Sequence, residues 1–337
     1  MKPLLELTSH GLYCEQGDFF IDPWRPVEKA LITHAHSDHA RWGCTSYLCH
    51  DHTVPLLKLR LGDHHYQGTT WGKSIYINNV EITFFPAGHI IGSSQIRVRY
   101  KDDTWVVSGD YKTKNDGISG AFEPIPCNHF ITESTFGLPI YQWQEQENVY
   151  TSIRNWVKEV HEKRETPVLF TYSLGKAQRV IEALAPLNIP IYAHGAIANT
   201  QEVLIQQKHP LQNVIRIHAG LKPIDFVKGV VIAPPSADQS SWLKKIGPSQ
   251  RAICSGWMQV RGNQRRRNVD KGFVLSDHAD WNGLLYAIES TGAQHILATH
   301  GFTHILTKYL NERGYQAETL STLFGQDEEE QINSEPS

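Results

Sequence analysis

The sequence predicts an α/β protein in two parts: a strand-rich domain that the C-terminal region rejoins, and an inserted segment in which strands alternate with helices. Three observations carry this. Residues 19–107 hold short runs of alternating apolar and polar residues bounded by turn formers, as half-buried strands do. Near residue 145 the texture changes to strands alternating with amphipathic helical stretches, the pattern of a parallel sheet covered by helices. After residue 268, strand-length apolar runs return with two further helical patterns. The expected boundaries are 1–144 and 269–324 for the first domain and 145–268 for the insertion. Residues 325–337, with five acids, read as a disordered acidic tail.

In the first part, strands are expected over 19–21, 29–32, 45–49, 74–77, 80–85, 95–100 and 104–107, several of them alternating as half-buried antiparallel strands do. Asn78-Asn79 between two runs is a hairpin signal, weaker than Asn-Gly. One helix is expected after His39 and another over 54–61. In the insertion, Asn148 can cap a helix whose Val149, Ile153, Trp156, Val157 and Val160 follow helical spacing. Strand 168–171, helix 176–185, strand 189–192, helix 198–207, strand 229–233, helix 240–245 and strand 251–254 follow. Strand 273–275, helix 281–289, strand 295–298 and helix 303–312 read as the return to the first domain.

With 337 residues, 40% of them hydrophobic and 20% charged, the chain can bury a sizeable core. No apolar run approaches the roughly 20 residues of a membrane span. Met1-Lys2-Pro3-Leu4-Leu5-Glu6 meets an acid before a signal-peptide core could form, so a soluble, cytoplasmic protein without a membrane partner is expected. Five scattered cysteines without a Cys-x-x-Cys fit reduced thiols better than a disulfide framework. The net charge of −3 hides an asymmetry: residues 145–268 carry 17 Lys and Arg against 9 Asp and Glu, the remainder 15 against 26. A basic middle inside an acidic frame suits a polyanion-facing lobe, although solvated helix faces give the same count.

The chemistry centres on Thr33-His34-Ala35-His36-Ser37-Asp38-His39, directly after the apolar run Ala30-Leu31-Ile32. Imidazole suits zinc, and a carboxylate can join it or bridge to a second ion. His34 and His36 share an alternation phase and point the same way in an extended segment. Asp38 and His39 follow where the chain must turn, so they can face a neighbouring point, which suggests two adjacent metals. Four further spots place a ligand-type residue at a strand end beside a small residue: His89 in Gly88-His89, Asp110 in Gly109-Asp110, His278 in Asp277-His278-Ala279, and His300 in His300-Gly301. Alone each is weak; in this order, after His-x-His-x-Asp-His, they form a strong signal. His50, His52, His64 and His65 lack the strand-end context and read as bystanders.

With these motifs the sequence resembles the metallo-β-lactamase fold and, within it, the β-CASP nucleases, over roughly residues 1–320. The branch it most resembles is the bacterial DNA-ligase-associated exonucleases. The resemblance implies an αββα sandwich with an inserted β-CASP domain, a parallel sheet flanked by helices. Asp22 matches the acidic residue that supports the site, and Glu133, in Thr132-Glu133-Ser134-Thr135-Phe136-Gly137, the acid before the insertion. His278 matches the histidine after the insertion and His300 the last motif. By the same analogy one zinc takes His34, His36 and His89, the other takes Asp38, His39 and His300, and Asp110 bridges them; manganese can occupy such a site. Asp38 could also orient the nucleophile. His278 is the candidate general acid and Glu133 its hydrogen-bond partner. Ser173, in the family-like Tyr172-Ser173-Leu174-Gly175-Lys176, together with Arg265, Arg266 and Arg267, would contact the substrate; a solvated loop is the other reading of the arginine run.

The function implied is a two-metal phosphodiesterase acting on nucleic acid, a DNA exonuclease of DNA repair, with a DNA ligase or other repair proteins as partners. RNA is the first alternative, because a histidine at the position of His300 resembles the RNA-processing branch. A small-molecule metallohydrolase is the second; it would need neither the basic insertion nor the Glu133/His278 pair.

Overall fold

The computed structural model describes residues 2–321 apart from 239, 261 and 264–268. Arg265, Arg266, Arg267 and the tail 325–337 therefore lie outside the described residues. The chain divides into two compact units, Met1–Gln142 with His278–Ser337, and Trp143–Asp277.

The first unit holds two sheets. One runs in chain order through β1 (Glu6–Thr8), β2 (Gly11–Cys14), β3 (Phe19–Ile21), β4 (Lys29–Leu31), β5 (Ser46–His50) and β6 (His65–Thr69). Its first three strands pair antiparallel and the rest parallel. Helix α1 (Thr53–Leu61) links β5 to β6. The helix expected after His39 is a single turn, closed by the Ala40 amide on the His36 carbonyl at 3.0 Å. The chain has no room for more: Gly43 adopts φ +100°, and Thr45 already bonds back to the Val27 carbonyl at 3.0 Å.

The other sheet contains β7 (Ser74–Ile77), β8 (Val80–Pro86), β9 (Ser94–Tyr100), β10 (Asp103–Val107), β11 (His129–Ser134), β18 (His295–Gly301) and β19 (Gln316–Thr319), in the order β19-β18-β11-β10-β9-β8-β7. Antiparallel pairing, expected for the alternating runs of the first part, holds for β7 to β10; β10, β11, β18 and β19 are parallel. Asn78 and Asn79 both take positive φ, +47° and +65°, the mirror-image turn that matches strand twist in a two-residue hairpin. Side chains from both sheets share one apolar core: Leu12, Phe19, Ile21 and Leu31 from the first, and Ile82, Phe84, Val98, Val107 and Ile131 from the second. Strand alternation sends Val106 and Phe130 the other way. There they pack on Trp281 and Ile288 of helix Trp281–Thr291 and on Leu306 and Leu310 of helix Thr303–Asn311. Each such side chain removed from water stabilises the fold by about 1.5–3 kcal/mol.

The second unit is a parallel sheet, β14-β13-β15-β12-β16-β17, of strands β12 (Thr166–Phe170), β13 (Ile191–Ala193), β14 (Ile215–Arg216), β15 (Val230–Ala233), β16 (Ser249–Cys254) and β17 (Lys271–Phe273). Its main helices are α2 (Gln146–Glu162), α3 (Lys176–Leu184) and α4 (Gly195–Gln206). Helix α2 buries Val149, Ile153, Trp156, Val157 and Val160, but it begins before Asn148, whose amide bonds to the Glu145 carbonyl at 3.0 Å. The helix expected over 240–245 is one 3-10 turn, Leu243–Lys245, cut short by Gly247-Pro248. Residues 271–273, read as the start of the return, pair with β16 in this sheet. Asp270 bonds Arg251 through both backbone and side chain, and Phe273 packs on Trp156. Among the described residues no helix is long and apolar enough to cross a membrane.

Candidate active site

The site is assembled at strand ends of the first unit. Asp22 directly follows β3 and sits at φ +42°, a conformation uncommon for a residue with a side chain. From there its carboxylate accepts from the Thr33 amide at 2.8 Å, the Thr33 hydroxyl at 2.5 Å and His39 Nδ1 at 2.7 Å. The end of β3 thereby clamps the loop that leaves β4. A His39 that donates from Nδ1 presents Nε2 to the interior of the cluster, the usual arrangement behind a metal-ligating imidazole.

Two groups of ligand-type side chains stand side by side: His34, His36, His89 and Asp110, and Asp38, His39 and His300. The rings of His34, His36 and His89 lie 4.8 Å apart in every pair. Asp110 faces both groups, with Oδ2 3.4 Å from His34 Nε2 and 3.7 Å from His89 Nε2, and Oδ1 3.5 Å from His39 Nε2. His39 Nε2 is also 3.5 Å from Asp38 Oδ2, and its ring is 5.2 Å from that of His300.

Local structure explains each placement. Asp110 comes one residue after Gly109, at φ +55°, where an added Cβ would lie 2.7 Å from Thr33. Only glycine lets the end of β10 approach the motif loop so closely. His300 owes its aim to a slip in the β11–β18 ladder. Glu133 pairs with Thr299 and Ser134 with Gly301, leaving His300 as the extra residue at φ +55°. Such bulges bend a strand and redirect a side chain. The Ser134 hydroxyl donates to the His300 carbonyl and holds the bulge.

The electrostatics are those of a site built around positive charge. Burial opposes a charged His39, yet Asp110, Asp38 and Asp22 outweigh it and hold its pKa well above the ordinary imidazole value. Burial likewise opposes a charged Asp110, but His39 and His34 hold its carboxyl well below the usual range; His39 and His300 do the same for Asp38, less strongly. Burial, reinforced by His39, lowers His300. His34 Nε2, His39 Nε2 and Asp110 Oδ1 are buried without a hydrogen-bond partner. Each orphaned group costs about 1–3 kcal/mol. Two imidazole nitrogens and a carboxylate oxygen converging this way are the donor set of a divalent cation, so the residues present fit one.

Beside this cluster, His278 Nδ1 lies 2.9 Å from Glu133 Oε2, and the His278 ring is 4.5 Å from that of His89. Glu133, fully buried, also accepts from the Tyr111 amide at 2.7 Å. The segment bearing His278 is pinned on both sides: the Ala279 amide bonds the Tyr111 carbonyl at 2.6 Å, and Asp280 caps helix Trp281–Thr291 through the Gly283 amide.

His34, His36, Asp38, His39, His89, Asp110, Glu133, His278 and His300 thus lie in one unit and one cluster, with Asp22 behind them. Ser173 lies in the second unit, between β12 and α3, where its carbonyl accepts from Gln178 Nε2 at 3.4 Å. Of the bystander histidines, His50 stacks on Trp71 at 4.1 Å and His64 packs on Tyr47; none joins a metal-capable group among the described residues. The residues missed from sequence are supports rather than ligands: Thr33, Ser134 and the Tyr111 amide. Their only signal is position, each flanking a ligand or an acid of the cluster.

No protein-family model matches the chain. A probable DNA ligase of Opitutus terrae is 31% identical over 322 residues, 92% of this chain and 30% of that protein. The probable RNase MJ4 of Methanocaldococcus jannaschii is 24% identical over 60% of this chain and 56% of its own, and RNase aCSPSF2 of Saccharolobus solfataricus 26% identical over 47% and 33%. The chain therefore spans about a third to just over half of these relatives' lengths. A crystal structure of a protein of unknown function from Enterococcus faecalis V583 matches at a TM-score of 0.57 and 13% identity, over 87% of this chain and 79% of that one, a likeness of mixed α/β fold alone. With one relative aligned across 92% of the chain, two RNases aligned over 60% and 47% of it, and the motif residues gathered in one cluster, the chain is similar to the metallo-β-lactamase-fold β-CASP nucleases.

Proposed function

We propose that the protein is a two-metal phosphodiesterase that hydrolyses nucleic acid, a DNA exonuclease acting in DNA repair in the cytoplasm. The observation that carries this reading is Asp110 facing two ligand groups, with the Glu133–His278 pair alongside. We read the first unit as the αββα sandwich and the second as the β-CASP insertion.

His34, His36 and His89 would hold one zinc ion and Asp38, His39 and His300 a second, with Asp110 available to both; manganese suits the same donors. When bound, such ions supply Lewis-acid polarisation of the phosphoryl oxygens and a nucleophile available near neutral pH. The chain does the rest. Asp22 fixes the orientation of His39. Asp38 orients the nucleophile. His278, held through Nδ1 by Glu133, delivers a proton from Nε2 to the leaving oxygen. Ser173 and the run Arg265, Arg266 and Arg267 hold phosphates of the substrate, in keeping with the basic balance of residues 145–268.

The choice of DNA, and of a DNA ligase or other repair proteins as partners, is supported by the ligase relative, whose alignment takes in 92% of this chain. RNA is the second reading, favoured by the RNase relatives and by the histidine at position 300. Digestion of end-labelled single- and double-stranded DNA and RNA, with zinc or manganese, tests both. The expected result is stepwise shortening of DNA that Asp38→Ala abolishes. Preferential cleavage of RNA would transfer the assignment to the second reading, and full activity of Asp38→Ala would remove the metal mechanism.

A further inference from the structure

The motif loop contains a fully buried hydroxyl that the proposed mechanism leaves without a task. Thr33 Oγ1 donates to Asp22 Oδ2 at 2.5 Å and lies 3.1 Å from His34 Nδ1. A hydroxyl carries one hydrogen, and an ionised carboxylate can only accept. The hydrogen is therefore committed to Asp22, and in the second contact the imidazole must be the donor, Nδ1–H to Oγ1. A neutral His34 then has its lone pair on Nε2, the buried nitrogen without a hydrogen-bond partner that lies 3.4 Å from Asp110.

His39 reaches the same tautomer directly. Its Nδ1 is 2.7 Å from Asp22 and 3.4 Å from Thr33 Oγ1, so the carboxylate takes its proton contact. One carboxylate thereby sets one imidazole in each ligand group, the first through Thr33 and the second by itself. The hydroxyl is wedged in place. The Thr33 amide donates to Asp22 Oδ1, its carbonyl accepts from the Ser94 amide at 2.9 Å, and Gly109 packs so closely that a Cβ there would lie 2.7 Å from Oγ1.

We propose that Thr33 is a positioning residue of the metal centre: its hydroxyl relays Asp22 to His34 and fixes His34 in the Nδ1–H tautomer, with Nε2 available to an ion. The relay rests on the two-ion reading given above.

Zinc titration of the metal-free protein against a chromophoric chelator tests it, with Thr33→Val removing the hydroxyl and Thr33→Ser keeping it. Wild-type protein should take up two ions. Thr33→Val should lose affinity for one of them by about 10–100-fold, as removal of an outer-shell partner does, with the other ion little changed. Thr33→Ser should match wild type. Unchanged affinity in Thr33→Val, or equal loss in both variants, overturns the relay. Uptake of fewer than two ions by wild-type protein overturns the two-ion reading and the relay with it. A readout that needs no Thr33 variant is the ¹⁵N-histidine spectrum of the wild-type protein, with His34 assigned by difference from a folded His34→Gln. Nδ1–H at His34 is expected, and Nε2–H would overturn the proposal.

Discussion

Glu133 and His278 are 145 residues apart in the chain, and His278 Nδ1 lies 2.9 Å from Glu133 Oε2 and 3.2 Å from Oε1. Neither residue is needed to complete the two ligand groups, so the pair can be altered without emptying them. Removing a general acid typically costs 10²–10⁴ in rate. His278→Ala is expected to lower kcat by about that factor while KM and metal content stay near wild type. Glu133→Gln should cost less, on the order of 10². Its amide can offer oxygen to the Tyr111 amide or to His278 Nδ1, but then turns NH2 towards the other donor and misplaces the ring. Turnover on end-labelled DNA beside metal analysis separates the roles: metal loss in either variant would make the pair a retention device instead.

The raised His39 and depressed Asp110 and Asp38 make the metal-free protein sensitive to pH in both directions. Stability from His39 is fully present below its unfolded value of about 6.5 and is lost as pH rises through the higher folded value. Stability from the two carboxylates is present above their unfolded range and is lost as pH falls through their lowered folded values. A bound cation replaces the His39 proton, so metal affinity should rise with pH by up to about tenfold per unit for each proton displaced. Thermal melts with and without zinc check this: the upward shift of Tm on adding metal should be larger at pH 8.5 than at pH 6.5. A shift independent of pH would mean that no proton is exchanged.

Neutralising Arg265, Arg266 and Arg267 to glutamine tests whether that run touches phosphate. Each phosphate contact on single-stranded DNA contributes about 0.7 to the slope of log affinity against log salt. Three lost contacts should flatten the slope by about 2 and weaken binding at low salt. A slope unchanged by the triple substitution would return the run to an ordinary solvated loop.

How much of this was legible in the sequence depends on the kind of residue. Ligand-type residues at strand ends, such as His34, His89 and Asp110, announce themselves because a small residue and an apolar run flank each one. The strands were legible where alternation is clean, as in β8 and β9, and obscure where both faces are buried. His129–Ser134 shows no period-2 pattern because Phe130 and Ile131 serve cores on opposite faces. Parallel pairing of β10, β11 and β18 was out of reach, since pairing depends on strands distant in the chain. The supports of the site were illegible for a different reason. Threonine 33 reads as a strand-former, and only its position between Asp22 and His34 gives its hydroxyl a task. The bulge at His300 depends on a register slip against Ser134 of β11, 166 residues earlier, which no local pattern records.

That slip supplies the last prediction. Gly301 follows His300 at φ +69°, and a Cβ there would meet the Ser134 carbonyl oxygen at 2.4 Å and Thr135 Cα at 2.5 Å, both backbone atoms that cannot swing aside. Gly301→Ala must therefore push β18 away from the end of β11 or abandon the left-handed conformation. Either route pulls the His300 carbonyl from the Ser134 hydroxyl and re-aims the imidazole. Because His300 belongs to the group of Asp38 and His39, the loss should fall on one ion. Metal analysis after extensive dialysis should fall from two equivalents towards one, with nuclease activity reduced at least tenfold. His300→Ala should show the same stoichiometry without the backbone clash, and hence a smaller drop in Tm than Gly301→Ala. If Gly301→Ala kept both ions and its melting temperature, the bulge would not be what aims His300.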